Sequence, residues 1–148
     1  MKKKIVYATA FFVMMLVCLM VYFIPMPLLD CFDEEGQINI QVSEFGVDYG
    51  KPFIAPIAYS EITEEQKERI FALCSQYSYR RTISTLFSDG SISGLGDKVA
   101  YIFINGNDKN NHYITISSSG KIAIENKTFQ MKHAQQFIDQ MTEILESR

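Results

Sequence analysis

The chain has 148 residues and a formal net charge of −3, and this length is typical of a single domain. Lys2, Lys3 and Lys4 are three of its 14 basic residues, whereas all 17 acidic residues lie from Asp30 onward. The chain beyond residue 4 therefore carries 11 basic and 17 acidic residues. This balance disfavours binding to nucleic acid or anionic lipid by bulk attraction, and no nucleic-acid partner is expected.

The first predicted element is an apolar helix over residues 5–24. This stretch has 20 residues and no charged side chain, so as a helix it would be about 30 Å long, the thickness of the hydrocarbon core of a bilayer. Pro25 and Pro27 end it. The run is longer than the apolar core of a cleaved signal peptide, and neither Cys18 nor Cys31 follows the small residues of a lipoprotein signal. The sequence predicts a retained transmembrane anchor.

The charges on the two sides of this helix predict its orientation. Residues 1–4 form a basic tail, whereas residues 25–37 form an acidic spacer. Because basic flanks stay on the cytoplasmic side of a membrane, residues 38–148 are expected to form a domain outside the cell membrane. The expected partners are the membrane, through a single integral span, and a protein at its outer face.

The sequence from residue 38 to 148 predicts an α+β domain. Thr63 and Gln66 fit a capping box that begins a helix, and a second helix with an apolar stripe is predicted over residues 133–146. Runs of alternating or continuously apolar residues predict strands, among them 38–42, 53–59, 79–87, 99–105 and 112–118. We expect an antiparallel sheet of five or six strands with the two helices packed on one face.

No group of residues has the spacing of a catalytic or metal site. His112 and His133 lie outside any H-E-x-x-H context, and Cys31 and Cys74 lack metal-ligand spacing. Cys74 falls on the apolar face of a helix and is predicted to be a small buried hydrophobe, although a disulfide with Cys31 stays open. The glycine-rich stretch 88–97 precedes a strand rather than a helix, which favours a flexible connection over a phosphate site. No cofactor is expected.

Four residues are candidates for contact with a partner. Arg80 and Arg81 are adjacent, and in a strand they would point to opposite faces of the sheet. One of them could contact an anionic ligand, whereas the alternative is an exposed ion pair with a carboxylate. Tyr101 and Phe103 lie in the most apolar predicted strand and would form an exposed aromatic patch if they face away from the helices.

Two segments carry a resemblance to other proteins. They are residues 79–82 (Tyr-Arg-Arg-Thr) leading to Leu86-Phe87, and the hairpin 122–129 (Ile-Ala-Ile-Glu-Asn-Lys-Thr-Phe). In these segments the chain resembles the small, uncharacterised extracytoplasmic domains that Gram-positive bacteria tether by one helix. The resemblance implies the same tethered layout and provides no catalytic residues.

These features favour a non-enzymatic binding or regulatory module over an enzyme. The alternative is a membrane-tethered enzyme that acts on envelope material. It would need a pocket in which two acidic groups, or an acid and His112, converge with shifted pKa values. An accessory subunit of a membrane complex is an intermediate hypothesis.

Overall fold

The computed structural model describes residues 2–32, 36–48, 51–59, 62–92, 97–105 and 111–147. Within these ranges the α-helices are α1 (Lys2–Tyr22), α2 (Glu64–Cys74) and α3 (Ala134–Glu146). Two short 3-10 helices span Leu29–Cys31 and Ile83–Phe87. The strands are β1 (Met26–Pro27), β2 (Gln37–Asp48), β3 (Lys51–Tyr59), β4 (Ser78–Arg80), β5 (Lys98–Asn105), β6 (Asn111–Ser117), β7 (Lys121–Ile124) and β8 (Lys127–Met131).

The described strands form one sheet in the order β1-β4-β8-β7-β6-β5-β2-β3. Every pairing in it is antiparallel. The α+β class is therefore confirmed, but the expected number of five or six strands is wrong, because eight are present in this part of the chain. One extra strand comes from Met26–Pro27 within the predicted spacer, where it pairs with β4. Pro56, whose missing N–H favours an edge position, lies in the edge strand β3.

One face of the sheet is covered by α2 and α3, and the core lies between these layers. Alternate residues of the central strands contact the apolar stripes of both helices. This is expected because side chains return to the same face every two residues in a strand and every 3.6 residues in a helix. Phe137 of α3 is fully buried, and its ring makes an edge contact with Tyr77 at 5.1 Å between centroids. The fully buried side chains include Ile40, Ile70, Ile102, Ile104, Ile114, Ile116, Ile122 and Ile138.

The predicted capping box at the start of α2 is confirmed and also joins the two helices. The Thr63 hydroxyl accepts a hydrogen bond from the backbone N–H of Gln66 at 3.2 Å, and the Gln66 side chain accepts one from the Thr63 N–H at 3.0 Å. The same Gln66 amide donates to the carbonyl oxygens of Ile144, Leu145 and Ser147, each at 3.2 Å. These carbonyls lie at the end of α3, where they lack helical partners, so one side chain serves the termini of both helices.

The prediction of a transmembrane anchor is contradicted. A helix does form in this region, since α1 spans Lys2–Tyr22. Among the described residues, however, no helix is both long enough and apolar enough to cross a membrane. This finding overturns the anchor at residues 5–24, the single-span membrane partner and the cell-membrane location with an outer domain.

The predicted strand over residues 79–87 is also wrong beyond its first residues. Strand β4 ends at Arg80, and Thr82 caps the 3-10 helix that follows. The backbone N–H of Thr82 donates to the Thr85 hydroxyl at 2.9 Å, and the Thr85 N–H donates to the Thr82 carbonyl at 3.1 Å. Threonine hydroxyls compete in this way for backbone groups that a sheet would otherwise use.

Candidate binding surface

The sheet face opposite α2 and α3, here called the open face, carries three aromatic side chains on two neighbouring strands. Tyr101 and Phe103 project from β5 at positions that alternate with the buried Ile102 and Ile104. Tyr113 projects from β6 directly opposite Phe103 in the strand register. We call Tyr101, Phe103 and Tyr113 the aromatic strip.

The rings of the aromatic strip pack against one another. The centroids of Phe103 and Tyr113 lie 5.0 Å apart with the rings tilted, and those of Tyr101 and Tyr113 lie 6.3 Å apart in a stacked arrangement. Phe103 and Tyr113 are each 39% exposed, whereas Tyr101 is half-buried. Burial raises the pKa of the Tyr101 phenol, with a smaller contribution from Tyr113. The strip is therefore a preformed apolar surface in which each ring limits the motion of its neighbour.

The side chains directly paired with the aromatic strip are uncharged. Asn39 of β2 stands opposite Phe103, and Gln41 stands opposite Tyr101. On the other side of β5, Thr115 stands opposite Tyr101. Asn39 and Gln41 are half-buried beside the rings, and an amide offers both hydrogen-bond donors and an acceptor.

The two arginines predicted as partner contacts lie elsewhere. Arg80 is exposed and pairs with Gln130 of β8. The sheet order puts four strand spacings between β4 and β5, a distance of about 19 Å. The Arg81 guanidinium lies beyond the strand and sits 5.5 Å from the ring centre of Tyr22, within the range of a cation–π contact. Arg80 and Arg81 therefore do not form one site with Tyr101.

A second exposed apolar group lies in the 3-10 helix Ile83–Phe87. Ile83, Leu86 and Phe87 are all exposed, and Phe87 is 85% exposed. The helix is short, so its apolar residues have no second turn to cover them. Nothing in the described chain packs over Phe87, which makes it a useful control for the aromatic strip.

A polar cleft lies where the segment that follows α2 meets the start of α3. Its volume is about 340 Å³, and Gln76, Tyr77, Lys132, His133 and Gln140 are among the lining residues. The Tyr77 hydroxyl donates to the Gln140 side chain at 2.9 Å. No carboxylate lines this cleft, so it does not supply the paired acids that the enzyme hypothesis requires. The side chain of His112 lies outside the described residues.

Cys31 and Cys74 are part of the core rather than a reactive site, whereas Cys18 is exposed on α1. Cys74 is fully buried, as predicted, and burial strongly raises the pKa of its thiol. The Cys31 thiol donates to the Tyr79 hydroxyl at 3.3 Å, and burial raises the pKa of this thiol as well. Neither Cys31 nor Cys74 forms a disulfide. A thiol with a raised pKa is a weak nucleophile and a poor metal ligand at neutral pH.

The sequence analysis did not assign Tyr113, Asn39 or Gln41 to this surface, although the alternation of their strands indicates it. The buried Ile114 and Ile116 alternate with Tyr113, so the period of two already places Tyr113 outward. The same alternation in β2 places Asn39 and Gln41 on the open face. What the sequence did not contain was the pairing of β2 with β5, which brings the amides to the rings.

No family model, curated protein or solved structure matches this chain. Within the described residues, no group of three or more His, Cys, Asp or Glu side chains could hold a metal ion. The resemblance to tethered extracytoplasmic domains stays a prediction.

Proposed function

We propose that this chain is a non-enzymatic binding module whose ligand contacts the open face of the sheet. The observation that carries the proposal is the aromatic strip, where Phe103 and Tyr113 remain 39% exposed on the sheet face opposite α2 and α3. Apolar side chains concentrated on one face of a small domain often mark a contact surface. Aromatic rings suit this role, because they offer a large contact area with few rotatable bonds.

The size of the exposed ring surface limits the affinity. If each ring can still lose about 80 Å² of accessible area, covering both contributes about 4 kcal/mol at about 25 cal/mol per Å². Taken alone, this free energy corresponds to a dissociation constant of about 1 mM. The cost of immobilising the ligand must still be subtracted from it. A single contact with the strip would therefore be weak, and a useful partner would bind through hydrogen bonds as well or at several points.

The polar cleft gives the enzyme hypothesis less support. Its residues Gln76, Gln140 and Tyr77 are hydrogen-bonding groups without a carboxylate among them. General acid–base catalysis needs a group that gains and loses a proton near the working pH, and His133 would have to act there without an orienting acid. The open face therefore supports binding better than the cleft supports catalysis.

Site-specific photo-crosslinking tests the proposal. A benzophenone amino acid would replace Phe103 in the full chain, and the same group at Phe87 would serve as the control. In the cells that express the protein, we expect an adduct from position 103 that is absent from position 87. The proposal fails if position 103 gives no adduct, or if position 87 gives the same adducts at the same yield.

A further inference from the structure

The chemistry of the open face points to a class of ligand. The strip offers exposed aromatic surface on Phe103 and Tyr113, and the half-buried Asn39 and Gln41 on the neighbouring strand offer amides. A matching ligand has an apolar face to lie on the rings and polar groups at its edge that both donate and accept hydrogen bonds. We propose that the ligand is a neutral saccharide chain, an inference that rests on the binding function proposed above.

A sugar ring has the required two-sided character. Its axial C–H bonds form an apolar patch with a partial positive charge, which is attracted to the negative face of an aromatic ring. Its hydroxyl groups each donate and accept, and they therefore match the Asn39 and Gln41 side chains. The stacked pair Tyr101 and Tyr113, with Phe103 beside it, provides adjacent rings for an extended chain rather than a closed pocket for one small molecule.

The electrostatics disfavour a nucleic acid on the same rings. Sheets that stack bases on aromatic side chains add a basic groove that follows the phosphates. Here the residues paired with Tyr101 and Phe103 are neutral, and the nearest described lysine on this face, Lys121, lies on β7, two strands from β5. The whole chain has a net charge of −3, which repels a polyanion.

The contact area disfavours a protein partner. Two half-exposed rings with two half-buried amides present about 250 Å² to a ligand, whereas a stable protein interface uses about 800 Å² on each side. Protein hot spots also concentrate in well-packed pockets, whereas the strip consists of side chains that project from two neighbouring strands. A polymer that repeats the same weak contact can use such a surface, because linked units gain avidity.

Affinity electrophoresis of the full chain tests the ligand class. The gels would contain soluble uncharged polysaccharides, namely amylose, a mixed-linkage β-glucan, xylan and galactomannan, with polygalacturonate as the anionic comparison. We expect at least one neutral polymer to retard the chain more strongly than polygalacturonate does. Titration calorimetry with oligosaccharides of the retarding polymer would then give the dissociation constant.

Four variants connect the retardation to the surface. Combining Phe103→Ala with Tyr113→Ala should weaken binding at least about tenfold, since it removes both exposed rings. Asn39→Ala should weaken it about three- to tenfold, through one lost hydrogen bond. Phe87→Ala and Tyr113→Phe should bind like the unaltered chain, because the first lies outside the strip and the second keeps the ring. Circular dichroism of each variant would establish that it is folded.

The results separate the ligand class from the binding function. Retardation by a neutral polymer that is lost in the double variant supports both. If no neutral polymer retards the chain while position 103 crosslinks to a protein, the saccharide proposal is overturned and the binding surface stands. If neither retardation nor crosslinking occurs, both proposals fall. Stronger retardation by polygalacturonate, or equal loss in Phe87→Ala, also overturns the saccharide proposal.

Discussion

The two faces of the sheet use the same backbone for different purposes. On the covered face, Ile102 and Ile114 are fully buried beneath α3 and α2. On the open face, Phe103 and Tyr113, the sequence neighbours of these two residues, are 39% exposed. Neighbouring residues of a strand point to opposite sides. A residue that stabilises the core is therefore adjacent in sequence to one that is exposed for binding. The comparison predicts that substitutions on the two faces have effects of different size and kind.

The largest effect is expected in the covered face. Phe137→Ala would leave a cavity in the fully buried core and remove the edge contact with Tyr77. Truncating a buried phenylalanine typically costs about 3–5 kcal/mol of the free energy of unfolding. Urea unfolding followed by circular dichroism would measure the loss. A cost under about 1 kcal/mol would contradict the placement of Phe137 at the centre of the core.

An intermediate effect is expected where the two covering helices meet. Gln66→Ala removes the reciprocal cap on Thr63 and the donor to the final carbonyls of α3. We expect a loss of about 1–2 kcal/mol in the free energy of unfolding, since each net hydrogen bond contributes about 1 kcal/mol or less and several share one side chain.

The matched control for this variant is Gln135→Ala. Gln135 is exposed and bonds only to Asp139 in the described contacts, so we expect a change within about 0.5 kcal/mol. Equal effects of Gln66→Ala and Gln135→Ala would show that α2 and α3 are not joined through Gln66.

A smaller effect on stability is expected on the open face. Phe103→Ala removes a half-exposed ring and its tilted contact with Tyr113, which costs about 1 kcal/mol in unfolding free energy. The same variant should lose most of its ligand binding. Thermal unfolding and affinity electrophoresis on one preparation would test both statements. A loss of stability as large as that of Phe137→Ala would contradict the view that the open face contributes less to stability than the covered face.

The smallest effect is expected for the ion pair between β5 and α3. The Lys98 ammonium lies 3.3 Å from the Asp139 carboxylate, and both side chains are about half exposed. Hydrogen bonds from Gln135 first, and then Lys98, lower the pKa of Asp139 below its usual value. A lowered pKa in the folded state contributes stability above the unfolded pKa, and this contribution is lost as the pH falls below about 4.

Because solvent screens this pair, Asp139→Asn should cost at most about 0.5 kcal/mol at neutral pH and nothing at about pH 2. Urea unfolding of the variant and the unaltered chain at both pH values gives the measurement. A cost above about 1 kcal/mol at neutral pH, or one that persists in acid, would show a role beyond the ion pair.

Much of the fold could be predicted where the signal is local. The capping residues Thr63 and Gln66 and the apolar stripe of α3 are both evident from neighbouring residues. The strand expected through residue 87 failed because Thr82 and Thr85 form their own hydrogen bonds. The anchor prediction failed because it rested on the composition of one segment, and no helix of the described chain meets the length and apolarity of a span.

The sequence by itself determined the α+β class, the alternation of the central strands and the excess of acidic over basic residues. Tertiary structure alone decided that Asn39 and Gln41 stand beside the aromatic rings, since they come from a strand about 60 residues away. It also decided that Arg80 is separated from those rings and that Met26–Pro27 extends the sheet. The physical reason is that alternation fixes which face a side chain takes, whereas the order of strands depends on long-range pairing that no local pattern encodes.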